Sequence, residues 1–216
     1  MRIRARLLST LAMLLAGVAG GLASQQTPPA PVDEPLFDGK TLGQWQPSRF
    51  FGQGAITVEE GAIVLGAGKD LTGITWAGSP LPTTNYELTL QARRVEGRDF
   101  FAGITFPVGD SFCSLILGGW GGSIVGLSSV NGMDASENSS SQSIDFEQNR
   151  WYLVRIRVTP KEIEAWLDDK QVVDQALAGN TVGVRIEVEA SQPLGIASWR
   201  TRSALRDLRL RRLATP

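Results

Sequence analysis

Histidine is absent from the 216 residues, which removes Ser-His-Asp and Cys-His arrangements from the chemistry open to this chain. Cysteine occurs once, at Cys113, so no intramolecular disulfide can form even in an oxidising compartment. Inside an apolar run, that thiol reads as a small core residue. One cysteine and no histidine leave structural zinc without a ligand set, and nothing in the sequence calls for a metal or a cofactor. Any acid–base work falls to Asp, Glu, Lys or Tyr. Positive charge is also in short supply. Lys and Arg number 21 against 22 acids, and three of the arginines (Arg2, Arg4, Arg6) lie at the extreme N-terminus, so the remainder carries 18 − 22 = −4. That balance argues against a nucleic-acid partner.

The N-terminus has the form of a secretory signal peptide over residues 1–23: a basic n-region, an apolar stretch from Leu7 to Leu22, and small residues at Gly21-Leu22-Ala23 for cleavage. The apolar run is short for a bilayer span, which takes about 20 residues, and no cysteine follows it for lipid attachment. A secreted or periplasmic protein is expected, with no membrane partner after cleavage. Residues 24–35 (SQQTPPAPVDEP) are rich in proline and polar side chains and read as a tether. Residues 36–216 are long enough for one domain with a sizeable core.

Within that domain no segment has convincing helical periodicity. Tyr86, Leu88, Leu90 and Ala92 alternate with Glu87, Thr89, Gln91 and Arg93. Tyr152, Val154, Ile156 and Val158 alternate with Arg155 and Arg157, and Ile163, Ala165 and Leu167 with Glu164 and Trp166. Each pattern is that of a half-buried strand. Asp168-Asp169-Lys170 turns the chain toward another strand. Val184, Ile186 and Val188 repeat the alternation, and 195–199 and 205–213 complete the set. Many short strands between turn signals predict a two-sheet antiparallel β-sandwich, with Leu88, Leu90, Ile104, Leu115, Val154, Ile156, Leu167 and Leu208 in its core.

The most unusual stretch is 98–138. Three apolar runs (100–106, 112–117 and 123–130) are joined by glycines and short acidic loops, and Gly118, Gly119, Gly121 and Gly122 surround Trp120. Backbone so rich in glycine approaches other surfaces closely, which suits a ligand platform or, more plainly, a packed hairpin. A hydrolase lacking histidine needs two carboxylates about 5–9 Å apart. Asp134 and Glu137 are the expected pair, with Arg98 and Asp99 orienting the substrate and Trp120 offering a stacking face; Asp110, Asn138 and Trp199 are further expected substrate contacts. Turn and cap chemistry alone also accounts for Asp and Asn at such places. Asn138-Ser139-Ser140 matches a glycosylation acceptor pattern, one too short and common to carry weight.

Three groups of residues carry a family resemblance: Leu36-Phe37-Asp38-Gly39-Lys40 with Leu42 and Trp45; Arg150-Trp151-Tyr152 followed by Ile163-Glu164-Ala165-Trp166-Leu167-Asp168-Asp169 and Val172-Val173; and Gly195-Ile196-Ala197 with Leu205-Arg206-Asp207-Leu208-Arg209-Leu210. They resemble 3-keto-disaccharide hydrolase domains, of which this would be a compact secreted variant. The resemblance implies a concanavalin A-like two-sheet jelly roll and a carbohydrate or glycoside ligand. It leaves two functions open: hydrolysis of glycosides, including 3-keto-glycosides, through carboxylates, or carbohydrate binding on the same sandwich without catalysis. The chain departs from the family pattern at Cys113–Gly119, where acidic and amide side chains are usual, and at Trp199-Arg200-Thr201, where a histidine-bearing segment is usual.

Overall fold

The structure, a computed structural model, describes residues 33–214. The expected signal peptide and most of the expected tether lie outside the described residues. In chain order the strands are β1 (Asp33–Pro35), β2 (Trp45–Pro47), β3 (Ile56–Glu59), β4 (Ala62–Leu65), β5 (Leu71–Trp76), β6 (Tyr86–Glu96), β7 (Ala102–Val108), β8 (Ser111–Gly119) and β9 (Ile124–Ser128). They continue as β10 (Gln142–Ser143), β11 (Tyr152–Val158), β12 (Glu162–Leu167), β13 (Lys170–Ala176), β14 (Gly195–Trp199) and β15 (Arg202–Arg212), with one 3₁₀ turn at Ile186–Ser191. Two antiparallel sheets result. One has the order β13-β12-β11-β6-β15-β4-β3 with β1 also on β15; the other runs β10-β9-β8-β7-β14-β5-β2. They face each other as the sandwich that the alternating patterns predict.

The alternation sets the core. Leu88, Leu90, Val154 and Ile156 of one sheet and Ile104, Leu115 and Ile196 of the other are each at most 2 % exposed, and Leu167 and Leu208 join them. The opening Leu36–Trp45 segment closes one end: Leu36 and Trp45 are buried, Trp45 Nε1 donates to the Leu36 carbonyl at 2.8 Å, and Trp45 meets Trp76 edge-on at 5.3 Å. Its Asp38-Gly39 turn faces water, with Asp38 Oδ1 accepting the Lys40 and Thr41 amides.

Two expectations need correction. Asp33–Pro35, read as tether, are β-paired with Arg209–Arg211. Residues 184–189, read as a strand from their alternation, instead enter the 3₁₀ turn, where Ile186 is 79 % exposed. An alternating run becomes a strand only where an edge is free to pair with it; this one is tied across the sheet by Ser129–Gly183 backbone bonds and by Thr75 Oγ1 donating to the Ala190 carbonyl at 2.7 Å.

Cys113 is fully buried. Desolvation pushes its thiol from an ordinary 9.0 up to about 12, and the Tyr86 phenol, which donates to the Pro107 carbonyl at 2.6 Å, is raised in the same way. Both groups are held neutral in the fold and ionise more readily when unfolded. Their contribution is therefore complete below pH about 9 and is lost as pH rises toward 12. Chemical denaturation midpoints should fall across that window, and Cys113 should resist iodoacetamide at pH 8 until the protein unfolds. Rapid alkylation of the native protein would contradict this placement.

Candidate functional site

The seven-stranded sheet turns an unusual face away from the core. Register places two rows of residues there: Thr75, Gly195, Thr105, Ser114 and Ser128 in one, and Gly73, Ala197, Gly103, Ile116 and Gly126 in the next. Apart from Ile116, these side chains are small or missing. The rest of the chain uses the space. A Cβ at Gly73 would stand 2.9 Å from the Phe50 ring, one at Gly103 3.1 Å from the Phe100 ring, one at Gly126 3.1 Å from the Ser140 carbonyl, and one at Gly195 2.7 Å from Ser191 Cβ. Four segments thus lie directly on the sheet. A pocket of about 230 Å³ remains between them.

Ser114, Ile116, Ser128 and Leu71 form the pocket floor, and Phe100 and Trp199 one wall, with ring centroids 6.5 Å apart. Trp120, Asp99, and Arg185, Glu187 and Val188 of the segment around the 3₁₀ turn complete the lining. Most of this surface is apolar, with charge concentrated at Asp99 and at the Arg185–Glu187 edge. The Thr105 and Ser114 hydroxyls share a hydrogen bond of 2.8 Å, whereas the buried Ser128 hydroxyl has no protein partner.

Trp120 is presented by the β8–β9 turn, where it is 43 % exposed. Gly118 (φ +75°) and Gly122 (φ +121°) occupy conformations that L side chains rarely adopt. Arg94 holds the turn from beneath. Nη2 of this buried arginine donates to the Gly122 carbonyl at 2.8 Å and to the Gly118 carbonyl at 3.4 Å, with the guanidinium over Phe101 and Phe146. Burial lowers its pKa from the usual arginine value, against the attraction of Asp99. Asp99 ties the turn from the other side: one oxygen accepts the Phe100 amide at 2.7 Å, the other the Gly121 amide at 3.3 Å.

Arg185 organises the charged edge. It donates to Asp134 at 2.7 Å and to Glu187 at 2.9 and 3.3 Å. The Arg185 guanidinium holds the Glu187 carboxyl below its ordinary range, and Glu187, then Asp134, raises Arg185 in return. At neutral pH, Glu187 is a carboxylate facing the pocket.

Of the residues singled out in the sequence, the pocket brings together Asp99, Trp120 and Trp199. Asp134 stands one residue behind it, its second oxygen accepting the Ser136 amide and hydroxyl, so it acts on the pocket only through Arg185. The expected Asp134/Glu137 pair is not assembled there: Glu137 is exposed and outside the lining. Asp110 lies in the exposed β7–β8 turn, at the other end of β8 from Trp120. Arg98 is exposed and outside the lining as well. Asn138 is 5 % exposed, and its amide is spent inside the protein, donating to the Leu127, Met133 and Asp134 carbonyls and accepting from Ser140. That leaves it closed to substrate and to a glycan. Sequence reasoning missed Arg185, Glu187 and Ser128. The first two sit in a run that imitates a strand; the available signal was that the run passes into Glu189-Ala190-Ser191-Gln192-Pro193, a poor strand continuation. Among the described residues, no group of three or more His, Cys, Asp or Glu is placed to hold a metal.

No curated protein matches the chain. Among solved structures it is similar to a putative glycosyl hydrolase from Parabacteroides distasonis (12 % identity, TM-score 0.51, covering 83 % of this chain and 93 % of that one). It is also similar to the Crh5 transglycosylase (10 %, 0.57, 86 % and 85 %) and to a carbohydrate esterase of the Shiga toxin-encoding bacteriophage phi24B (12 %, 0.56, 85 % and 98 %). At these identities the likeness shows a shared sandwich fold. The profile of the 3-keto-alpha-glucoside-1,2-lyase-like domain matches residues 33–211, and with that match over most of its length the chain belongs to this family, the one its opening, middle and closing motifs resemble.

Proposed function

We propose that this chain is an exported carbohydrate-active domain that seats one sugar ring in the pocket between Trp120 and Trp199 and cleaves 3-keto-glycosides there. The observation that carries the proposal is the meeting, in one pocket, of aromatic walls with a carboxylate kept ionised by Arg185. Aromatic faces suit the apolar C–H surface of a pyranose. An ionised carboxylate suits removal of a proton and not protonation of a leaving oxygen. A ketone at C3 acidifies the hydrogen at C2, so a carboxylate base suffices. Glu187 takes the C2 proton, the electron pair moves onto the C3 oxygen as an enolate, and its return expels the C1 substituent as the C1–C2 double bond forms. The departing oxygen collects a proton from water or from protonated Glu187; addition of water across the double bond would make the net reaction a hydrolysis. The family description and the carbohydrate enzymes among the structural neighbours support this reading.

A second reading, binding without turnover, is favoured by a different observation: Asp99 already accepts two backbone amides and Glu187 already pairs with Arg185. Mixing the protein with 3-keto-glucosides and their parent glucosides, while following both heat of binding and released alcohol, separates the two. Release of alcohol from the keto sugars alone is expected. Binding with no release would favour the module, and neither binding nor release would remove the carbohydrate proposal. Export rests on the basic-then-apolar N-terminus; a mature protein found without residues 1–23 is the expected mass-spectrometric result, and one retaining them would contradict it.

A further inference from the structure

The outer face of the eight-stranded sheet carries arginine in a register that leaves Arg93 and Arg209 without a carboxylate partner among the described residues. Four rows cross β11, β6 and β15. In the first, Arg157, Glu87 and Arg211 are neighbours, and the row neutralises itself: Arg157 also meets Glu164 at 3.3 Å, and Arg211 meets Asp33 at 3.9 Å. Glu87, 3 % exposed, is shared by Arg157, Arg211 and, from the next row, Arg155 at 3.7 Å. Arg157 and Arg211 each have a second carboxylate, whereas Arg155 has only the longest of the three contacts to Glu87. The second row is Arg155, Thr89 and Arg209. No acid is in it, Arg209 is exposed, and no protein acceptor is within hydrogen-bond reach of the Arg209 guanidinium among the described residues. The third holds Leu153, Gln91 and Arg206, with Arg206 donating twice to Gln91 and lying 3.7 Å from the exposed Asp207 carboxylate. The fourth is Arg93 beside Ala204 and Trp151; Arg93 lies 4.6 Å over the Trp151 ring, and its buried Nε has no partner.

These cations are laid out as a track. From Arg93 to the Arg155–Thr89–Arg209 row is four residues along β6, about 13 Å at strand rise, and Arg155 and Arg209 are two strands apart, about 10 Å. A single small anion would occupy one point of such an array. An extended polyanion would occupy all of it. We infer that this face binds an acidic glycan whose sugars carry carboxylates, with Arg93, Arg155, Arg206 and Arg209 as its contacts. The guanidinium fork matches a planar carboxylate, and the charge complementarity is local: among the described residues Arg93, Arg155, Arg206 and Arg209 meet only the shared Glu87 and Asp207 within 4.0 Å, although the chain as a whole carries more acid than base. A nucleic acid fits less well. Both tryptophans here are already covered, Trp166 by Arg155 at 3.9 Å and Trp151 by Arg206 at 4.1 Å and by Arg93, so no bare ring is offered to a base. This site lies on the opposite sheet from the pocket and stands or falls separately from the cleavage reaction.

The test is binding of polygalacturonate by the full chain, compared with a neutral glucan, a sulfated glycan and single-stranded DNA. Saturable binding to polygalacturonate and none to the glucan is expected, with loss as ionic strength approaches about 1 M, where screening shortens to about 3 Å. Arg209→Gln alone, an exposed change, should weaken binding several-fold, and Arg155→Gln with Arg209→Gln ten-fold or more, while Lys161→Gln has no effect. Unchanged melting temperatures guard against misfolding, and the single Arg209 variant keeps the test valid if the double variant is unstable. Sulfated glycan binding as tightly would overturn the assignment to carboxylate-bearing sugars. Equal or tighter DNA binding, parent-like binding by both variants, or no binding to polygalacturonate would overturn the inference.

Discussion

Glu187→Gln is expected to lower turnover of a 3-keto-glucoside by about 10²–10⁴-fold, the usual contribution of a positioned base. The fold should hardly notice. Glu187 is about half exposed and pairs with Arg185, which keeps its 2.7 Å bond to Asp134, and exposed ion pairs contribute about 0–1 kcal/mol. Sugar binding should persist in the variant, because Trp120, Trp199 and Phe100 are untouched. Asp134→Asn should have a smaller effect, acting only by loosening Arg185, and Glu137→Gln none. Parent-like turnover by the Glu187 variant would move the base elsewhere, with Asp99 the remaining carboxylate in the pocket lining.

The second large effect is expected at Arg94→Met, which keeps much of the side-chain volume and removes the donors. The carbonyls of Gly118 and Gly122 then lose their partner in the interior, at about 1–3 kcal/mol each. Relief of a desolvated charge offsets part of this, and the net loss should be about 2–4 kcal/mol, read from denaturant midpoints. Because the turn those carbonyls belong to presents Trp120, ligand affinity should fall together with stability. Stability lost with affinity intact would mean that Trp120 is not held in place by Arg94.

The fold was legible because period-two alternation in Tyr86–Arg93, Tyr152–Val158 and Ile163–Leu167 admits only one buried face per strand, and two such sheets must cover each other. Asp99 and Trp120 could be read as site residues because glycine-rich backbone, acid and aromatic stand close together in the chain, and Trp199 stood out where the chain departs from the family pattern. The far wall could not. Arg185 and Glu187 reach the pocket only because Gly73, Gly103, Gly126 and Gly195 leave the sheet low enough for other segments to lie on it, and which segment lies over which glycine is set by pairing between strands far apart in sequence. Asn138 misled for the opposite reason: a polar residue in a polar loop looks free, yet its amide closes that loop on β9. Asp134, expected as half of an acid–base pair, stands behind the pocket and reaches it through Arg185.

The position of the bound sugar decides between these assignments of the site. A crystal structure of the Glu187→Gln variant soaked with a 3-keto-glucoside tests that most directly. One ring is expected between Trp120 and Trp199, its C2 toward the side chain at 187. A sugar bound beside Glu137 or Asp110 with this pocket vacant would contradict it.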